Sequence, residues 1–243
     1  MTYQELCSFD TLWTAYHRAR RCKRGKKSTA PFEYSAIEEL LILSKSLLQG
    51  THQPDPLDAF YIYEPKKRLI QAPTFRDKVV QHALTDYIVY DELARSFTLN
   101  TYAAQYGKGT HYGLEMLKRH MRTYFLRRKG ADEAARKAAG LPHRPMEEWD
   151  YAEGWVLKGD FSKFFYTLLH AVCFEKARKA LAFLSDEELI DFVEWLLWIV
   201  IDSTPDPGIP IGNQSSQLLA LLYLDAFDHW LRDDRGLVYG RYM

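Results

Sequence analysis

Cysteine, net charge and long apolar runs are all scarce in this sequence, and each shortage excludes something. The three cysteines, Cys7, Cys22 and Cys173, are scattered and odd in number. That excludes a disulfide framework and a cysteine zinc site, and it suits reduced thiols in a cytoplasmic protein. The longest apolar run, "FVEWLLWIVI", contains Glu194 and falls well short of the roughly 20 residues that a bilayer crossing needs. The N-terminal "MTYQELCSFD" has no basic-then-apolar pattern, so neither a secretion signal nor a membrane partner is expected. The eight histidines show no metal-ligand spacing, and no nucleophile–base pattern for hydrolysis stands out. "GKGT" at 107–110 is not a P-loop, because the upstream glycine at the required spacing is missing.

What is present suits a globular protein of one or two domains: 243 residues, 47% hydrophobic and 26% charged. The formal net charge of zero hides an asymmetry. Residues 1–129 hold 21 Lys/Arg against 13 Asp/Glu, whereas residues 130–243 hold 11 against 19. A basic front and an acidic back suit a polyanion on one side and cations on the other, although chance clustering of surface charge gives the same numbers.

Along the chain, residues 1–50 read as helical. "HRARRCKRGKK" is a dense basic run, either an RNA contact or a solvated helix face. "SAIEELLILSKSLLQG" starts at a candidate N-cap, Ser35, with Glu38 at capping-box spacing, and ends at Gly50 as a C-cap. "AFYIYEP" and "RLIQAP" predict a β-hairpin with a basic tip. "FRDKVVQHALTDYIVYDELA" and "HYGLEMLKRHMRTYFLRRKG" predict helices. Residues 130–150 read as a solvent-exposed insertion with one short helix. "GWVLKGD" reads as a buried strand ending in Asp160. "SDEELIDFVEWLLWIV" is a helix with Ser185 as N-cap and Glu188 at the reciprocal position. "DSTPDPGIPIGN" is a turn-rich loop, "QSSQLLALLYLDAFDHWL" a long apolar helix, and "LVYGRYM" a strand-like ending.

Asp160 is the carboxylate best placed for chemistry. Carboxylates at strand ends hold Mg²⁺ in enzymes that act on phosphates, because Mg²⁺ takes hard oxygen ligands. Equally, such a residue caps the next helical turn or merely ends a strand. Its context is an ordered set: "RLIQAPTFRDKVVQHAL", "YAAQYGKGT", "KGDFSKFF", "GIPIGNQSSQ" and "YGRYM". In that order these motifs resemble the bacterial reverse transcriptase family, and most of all the enzymes of diversity-generating retroelements. The resemblance runs from about residue 60 to residue 243.

The resemblance implies an α+β right-hand polymerase fold without a thumb. It divides into a basic helical N-terminal extension (1–50), fingers (51–150) and a partial palm (151–243). Asp160 matches the first catalytic carboxylate, which holds both Mg²⁺ ions of a two-metal phosphoryl transfer. Phe161 and Phe165 fall in the nucleotide-binding set. Phe165 matches the aromatic gate whose ring leaves no room for a ribose 2′-hydroxyl, while ordinary core packing is the alternative for it and for Phe164. Arg68 matches the fingers arginine that grips the triphosphate, with Lys66 or Lys67 assisting; a guanidinium fork suits bidentate phosphate contact. Arg76 falls where the family contacts template, or else pairs with Asp77 or Glu64. Lys108 suits a template phosphate contact. Pro210, Ile211, Gly212 and Gln217 match the loop and helix start beneath the nascent base pair, Pro210 on the template side.

Many members carry Gln where this chain has Ile211, and an aliphatic residue there is a habit of the error-prone retroelement branch. The implied partners are an RNA template, a DNA primer, dNTPs and an accessory protein of the retroelement. A phage-defence relative and a catalytically dead RNA-binding scaffold, such as a group II intron maturase relic, are the alternatives. The family's second metal-binding motif is Tyr-x-Asp-Asp, and here Tyr242 and Met243 stand without the paired aspartates. One carboxylate cannot space two Mg²⁺ ions about 4 Å apart. The 243-residue polypeptide is therefore expected not to polymerise, to bind metal weakly and to fray at its C-terminus.

Overall fold

The computed structural model describes residues 1–26, 28–64 and 67–242. The chain runs α1 (Tyr3–Leu6), α2 (Phe9–Ala19), α3 (Ala30–Tyr34), α4 (Ala36–Leu48), β1 (Asp58–Ile62), β2 (Arg68–Ala72), α5 (Phe75–Leu84), a π-helical turn (Thr85–Val89), α6 (Tyr90–Ala94) and α7 (Thr110–Ala138). It continues through α8 (His170–Leu181), α9 (Glu187–Asp202), α10 (Gln214–Tyr223) and α11 (Asp225–His229). Two compact units result, one formed by Met1–Ser96 with Lys163–Tyr223 and the other by Phe97–Ser162 with Leu224–Met243. Among the described residues the sheet has two strands, and no helix is long and apolar enough to cross a membrane.

The first unit has a helical core. Apolar residues of α9 recur at helical spacing (Leu189, Val193, Leu196, Leu197, Val200, Ile201), and all are buried. Each such side chain contributes about 1.5–3 kcal/mol of transfer free energy. α8 packs on α9, α10 packs on α8, and α2 packs on α5. Asp86, in the π-helical turn, ties three elements: Arg18 of α2 at 3.1 Å, His82 at 3.5 Å and Gln214 of α10 at 3.2 Å. Burial opposes its charge, but hydrogen bonds from these neighbours outweigh it and hold the carboxyl below its usual range. The caps differ in detail from the sequence reading. α9 is capped by Asp186, whose carboxylate accepts from Leu189 N–H at 3.0 Å, one residue after Ser185. Ser35 makes no side-chain cap, so the capping box at the start of α4 is not formed. Gly50 does end that helix, at φ +64°, a conformation open to glycine.

The hairpin lies where the sequence places it, and its antiparallel register sets Asp58 opposite Ala72, Phe60 opposite Ile70 and Ile62 opposite Arg68. All of β1 is exposed. At its tip, Pro65 and Lys66 lie outside the described residues, as does the Arg68 side chain. Lys67 covers the Tyr61 ring at 4.3 Å.

The second unit corrects three expectations. First, α7 runs 29 residues, through Gly130 to Ala138, with none buried. A mid-helix glycine costs about 1 kcal/mol. The surrounding Ala, Glu, Arg and Lys are strong helix formers and offset it. The segment after the helix folds back on it: Arg144 pairs with Asp132 at 3.0 Å, Tyr151 donates to Asp132 at 2.6 Å, and Trp149 and Tyr151 pack on Phe125. Residues 130–150 are thus helix and return leg, with a single 3₁₀ turn at Met146–Glu148. Second, "GWVLKGD" is neither buried nor a strand. Trp155, Val156 and Leu157 are almost fully exposed and carry no regular secondary structure. An apolar run becomes a strand only where a neighbouring strand takes its N–H and C=O groups, and none does so among the described residues.

Third, the C-terminal segment is tied down. Tyr102 N–H donates to Arg241 C=O at 3.0 Å, and Arg241 N–H donates to Asn100 C=O at 2.8 Å. The Arg241 guanidinium donates to Asp228 at 2.6 and 2.9 Å, and the Tyr239 hydroxyl donates to it at 2.5 Å. Asp228 is 1% exposed. A buried carboxylate requires a cation and donors, and Arg241 with Tyr239 supplies them, which fixes the segment. The apolar helix at 214–231 is also broken, with Leu224 outside helical geometry between α10 and α11. Among the cysteines, Cys7 and Cys173 are buried, Cys22 is exposed, and all three are free thiols.

Candidate nucleotide-binding site

Two segments far apart in sequence meet in the first unit. Gln71 N–H, in β2, donates to Ile211 C=O at 3.3 Å. Beside it, Gly212 adopts φ +121°, and a Cβ there would stand 3.2 Å from Ile70 Cγ2. Only glycine combines that backbone with so close an approach. The same loop reaches the aromatic segment: Ile209 N–H donates to Phe165 C=O at 2.8 Å, and Gly208 N–H to Leu168 C=O at 2.9 Å. A continuous backbone path therefore joins Phe165, Pro210, Ile211, Gly212 and the strand that begins at Arg68.

Local sequence explains why the loop holds this course. His170, buried at the start of α8, lies 2.6 Å from Gly208 C=O, and the Thr204 hydroxyl donates to that same oxygen at 2.8 Å. Asp206 accepts from His170 N–H at 3.1 Å. Gly208, at φ +141°, lies against Tyr166 and Pro205. Phe164 and Phe165 sit in one 3₁₀ turn, both half-buried, and Phe164 packs edge-on against Tyr223. Pro210 is buried, Ile211 is half-buried, and Gly212 and Gln217 are exposed. In the sequence His170 is one of eight histidines without metal-ligand spacing. Its function as the brace of this loop had no sequence signal.

Beside the hairpin, Arg76 pairs with Asp55 at 4.0 Å rather than with Asp77 or Glu64. Thr74 caps α5, donates to Asp55 at 2.8 Å and accepts from Asp77 N–H at 3.4 Å. Asp77 is buried, and desolvation raises its carboxyl above the usual range. His52 lies 3.7 Å from it; burial, aided by Arg76, lowers the imidazole to about 4. At neutral pH a neutral imidazole therefore faces Asp77, and the two do not form an ion pair.

The remaining predicted residues lie in the second unit. Asp160 and Phe161 are exposed in the irregular segment after α7, and Asp160 has no hydrogen bond or ion pair among the described residues. The Lys108 ammonium is spent on its own loop, donating to Gln105 at 2.8 Å and to Thr98 C=O at 3.1 Å, and burial lowers its pKa. The "YAAQYGKGT" loop and the "YGRYM" segment, 130 residues apart, meet there through the Thr101–Arg241 bridge, and the Thr110 and Tyr242 hydroxyls are 3.3 Å apart.

The described residues do not fit a two-Mg²⁺ centre. They contain no group of three or more His, Cys, Asp or Glu placed to hold a metal ion, and a solitary exposed carboxylate binds such an ion weakly.

No family model matches the chain. Protein YkfC of Escherichia coli (strain K12) is 26% identical over 207 residues, which cover 80% of this chain and 46% of that protein. The chain thus spans about half the length of the curated relative it matches.

Proposed function

We propose that the chain carries the nucleotide-recognising part of an RNA-directed DNA polymerase of the bacterial retroelement kind, working with an RNA template, a DNA primer and dNTPs. The observation that carries this reading is the meeting of the hairpin, the Phe165 turn and the Pro210–Gly212 loop within one unit. These are the motifs that the resemblance assigns to the triphosphate, the sugar and the nascent base pair. In this reading Arg68 grips the triphosphate, with Lys67 beside it. The Phe165 ring excludes a 2′-hydroxyl, and the bare Gly212 backbone lets a base pair lie flat. Nucleotidyl transfer requires further carboxylates beside Asp160, so the 243-residue polypeptide binds nucleotide without extending a primer.

The test is equilibrium binding of dTTP and UTP to the purified chain. The wild type should prefer dTTP. Phe165→Ala should bring the two affinities together, and Arg68→Ala should weaken both by about 10- to 100-fold, the loss of a charge-assisted phosphate contact. Equal affinity of the wild type for both nucleotides, or an Arg68→Ala variant with unchanged triphosphate affinity, would refute the reading. The solitary Asp160 also supports a second reading, an RNA-binding scaffold with a polymerase fold. It predicts salt-dependent RNA binding with no preference between dTTP and UTP.

A further inference from the structure

Helix α4 is covered on one side only. Eight of its 13 residues are apolar, and they stand round most of its circumference. A helix of that kind is normally buried all round. Here Leu40, Leu43, Ser44 and Leu47 form the buried face. Ile37, Leu41 and Leu48 recur at helical spacing on another face and are 57%, 53% and 47% exposed, with Ile42 beside them at 60%. Tyr34, the last residue of α3, stands just before this face and is 96% exposed. Single exposed leucines are ordinary, whereas a contiguous apolar stripe marks an interaction surface. We propose that this face of α4 is a dimer interface, covered by the same face of a second copy of this chain running antiparallel to it.

Charge selects the partner and its direction. Glu38 and Lys45 lie about two helical turns apart, so both flank the stripe on the same side. Both are exposed, and neither makes an ion pair or hydrogen bond among the described residues. When two such helices lie antiparallel with Leu41 and Ile42 of each at the centre, Glu38 of one copy faces Lys45 of the other. The two-fold axis repeats that pair at the opposite end. The same register lays Tyr34 of each copy over the Leu48 end of its neighbour. Parallel packing would set Glu38 on Glu38 and Lys45 on Lys45. Other occupants fit less well. A strongly acidic or strongly basic segment would satisfy one of these charges and repel the other, and an anionic membrane surface would meet Glu38 with only Lys45 to attract it. A closed two-fold contact answers both charges with one helix. The helix is about 20 Å long, so the interface falls in the small, reversible class. The proposal does not rest on the polymerase reading, because none of these residues belongs to the nucleotide-binding set.

Sedimentation velocity of the 243-residue chain at low ionic strength tests the proposal, over about 1 to 300 µM to suit a small interface. A passage from monomer to dimer across that range is expected. Leu41→Glu should leave monomer at every concentration. Glu38→Lys, which sets like charges together at both ends, should weaken dimerisation about 5- to 30-fold, and adding Lys45→Glu should restore it to within about threefold of wild type. A merely structural role of either charge would not be repaired by exchanging the two. Val156→Asp, in the exposed run Trp155–Leu157, should leave the dimer unchanged. If Leu41→Glu fails to fold by circular dichroism, oxidative cross-linking in a Cys22→Ser background keeps the test decisive. Leu41→Cys, close to the two-fold axis, should give a disulfide-linked dimer, and Leu126→Cys, equally exposed at 53% on α7, should not. A chain that is monomeric throughout overturns the proposal and leaves the face to a different partner. So does a dimer that survives Leu41→Glu, one that is lost in Val156→Asp, or one that the charge exchange fails to restore.

Discussion

Replacing Arg241 with Met should destabilise the second unit by about 3–5 kcal/mol, because it strips the cation from a buried carboxylate. Asp228 is 1% exposed, and its two oxygens accept from Arg241 at 2.6 and 2.9 Å and from the Tyr239 hydroxyl at 2.5 Å. Removing the guanidinium leaves that charge with a single neutral donor in a site closed to water. Against a typical domain stability of about 5–15 kcal/mol, the loss is large. Replacing both partners, Asp228→Leu with Arg241→Met, should recover most of it, since the attraction within a buried pair little more than offsets its desolvation. The unpaired Tyr239 hydroxyl keeps a residual cost of about 1–2 kcal/mol. Urea unfolding followed by circular dichroism gives the free energies. Amide exchange gives the location, because the Tyr102 and Arg241 N–H groups bond across this segment and should lose protection first. An Arg241→Met variant within about 1 kcal/mol of wild type would refute the reasoning. So would a double variant as unstable as the sum of its singles.

Stability should fall as pH drops from about 6.5 towards 4. The folded His52 pKa is about 4, so within that window the unfolded chain takes a proton that the folded chain refuses. The effect reaches about 3 kcal/mol. Asp77, raised by burial, acts in the opposite sense, so the clean measure is the wild type against His52→Gln; parallel stability profiles from pH 6.5 to 4 would rule the effect out. Gly212→Ala should lower stability by about 1–2 kcal/mol through its φ of +121° and its approach to Ile70, and should weaken dTTP binding in the same assay. An unchanged melting temperature would show that the hairpin and loop do not pack as described.

Local features were legible in the sequence wherever local chemistry decides them. The hairpin followed from two runs of β-formers about a basic turn, and α9 from apolar residues at helical spacing. The α9 cap slipped by one residue because Ser185 and Asp186 are both good caps and only geometry chooses between them. α7 runs past the predicted helix that ends at Gly130, because helix-forming neighbours on both sides carry the turn through that residue. "GWVLKGD" was misjudged because composition indicates a strand while pairing makes one. In the site, each motif could be named singly. That Ile211 meets Gln71, or that His170 braces Gly208, is a contact between segments about 40 to 140 residues apart, and no periodicity encodes it.

The exposed run Trp155–Val156–Leu157 bears on how the chain behaves in a tube. Three consecutive large apolar residues that are exposed and unpaired with any strand among the described residues form a segment on which a second molecule can add a strand. Glu153 on one side, and Lys158 and Asp160 on the other, flank the run as charged gatekeepers that oppose such stacking. Neutralising them, or raising salt enough to screen them, should therefore promote turbidity. Dilute protein at low ionic strength is the condition in which monomers persist, and in which the binding measurements above should be made.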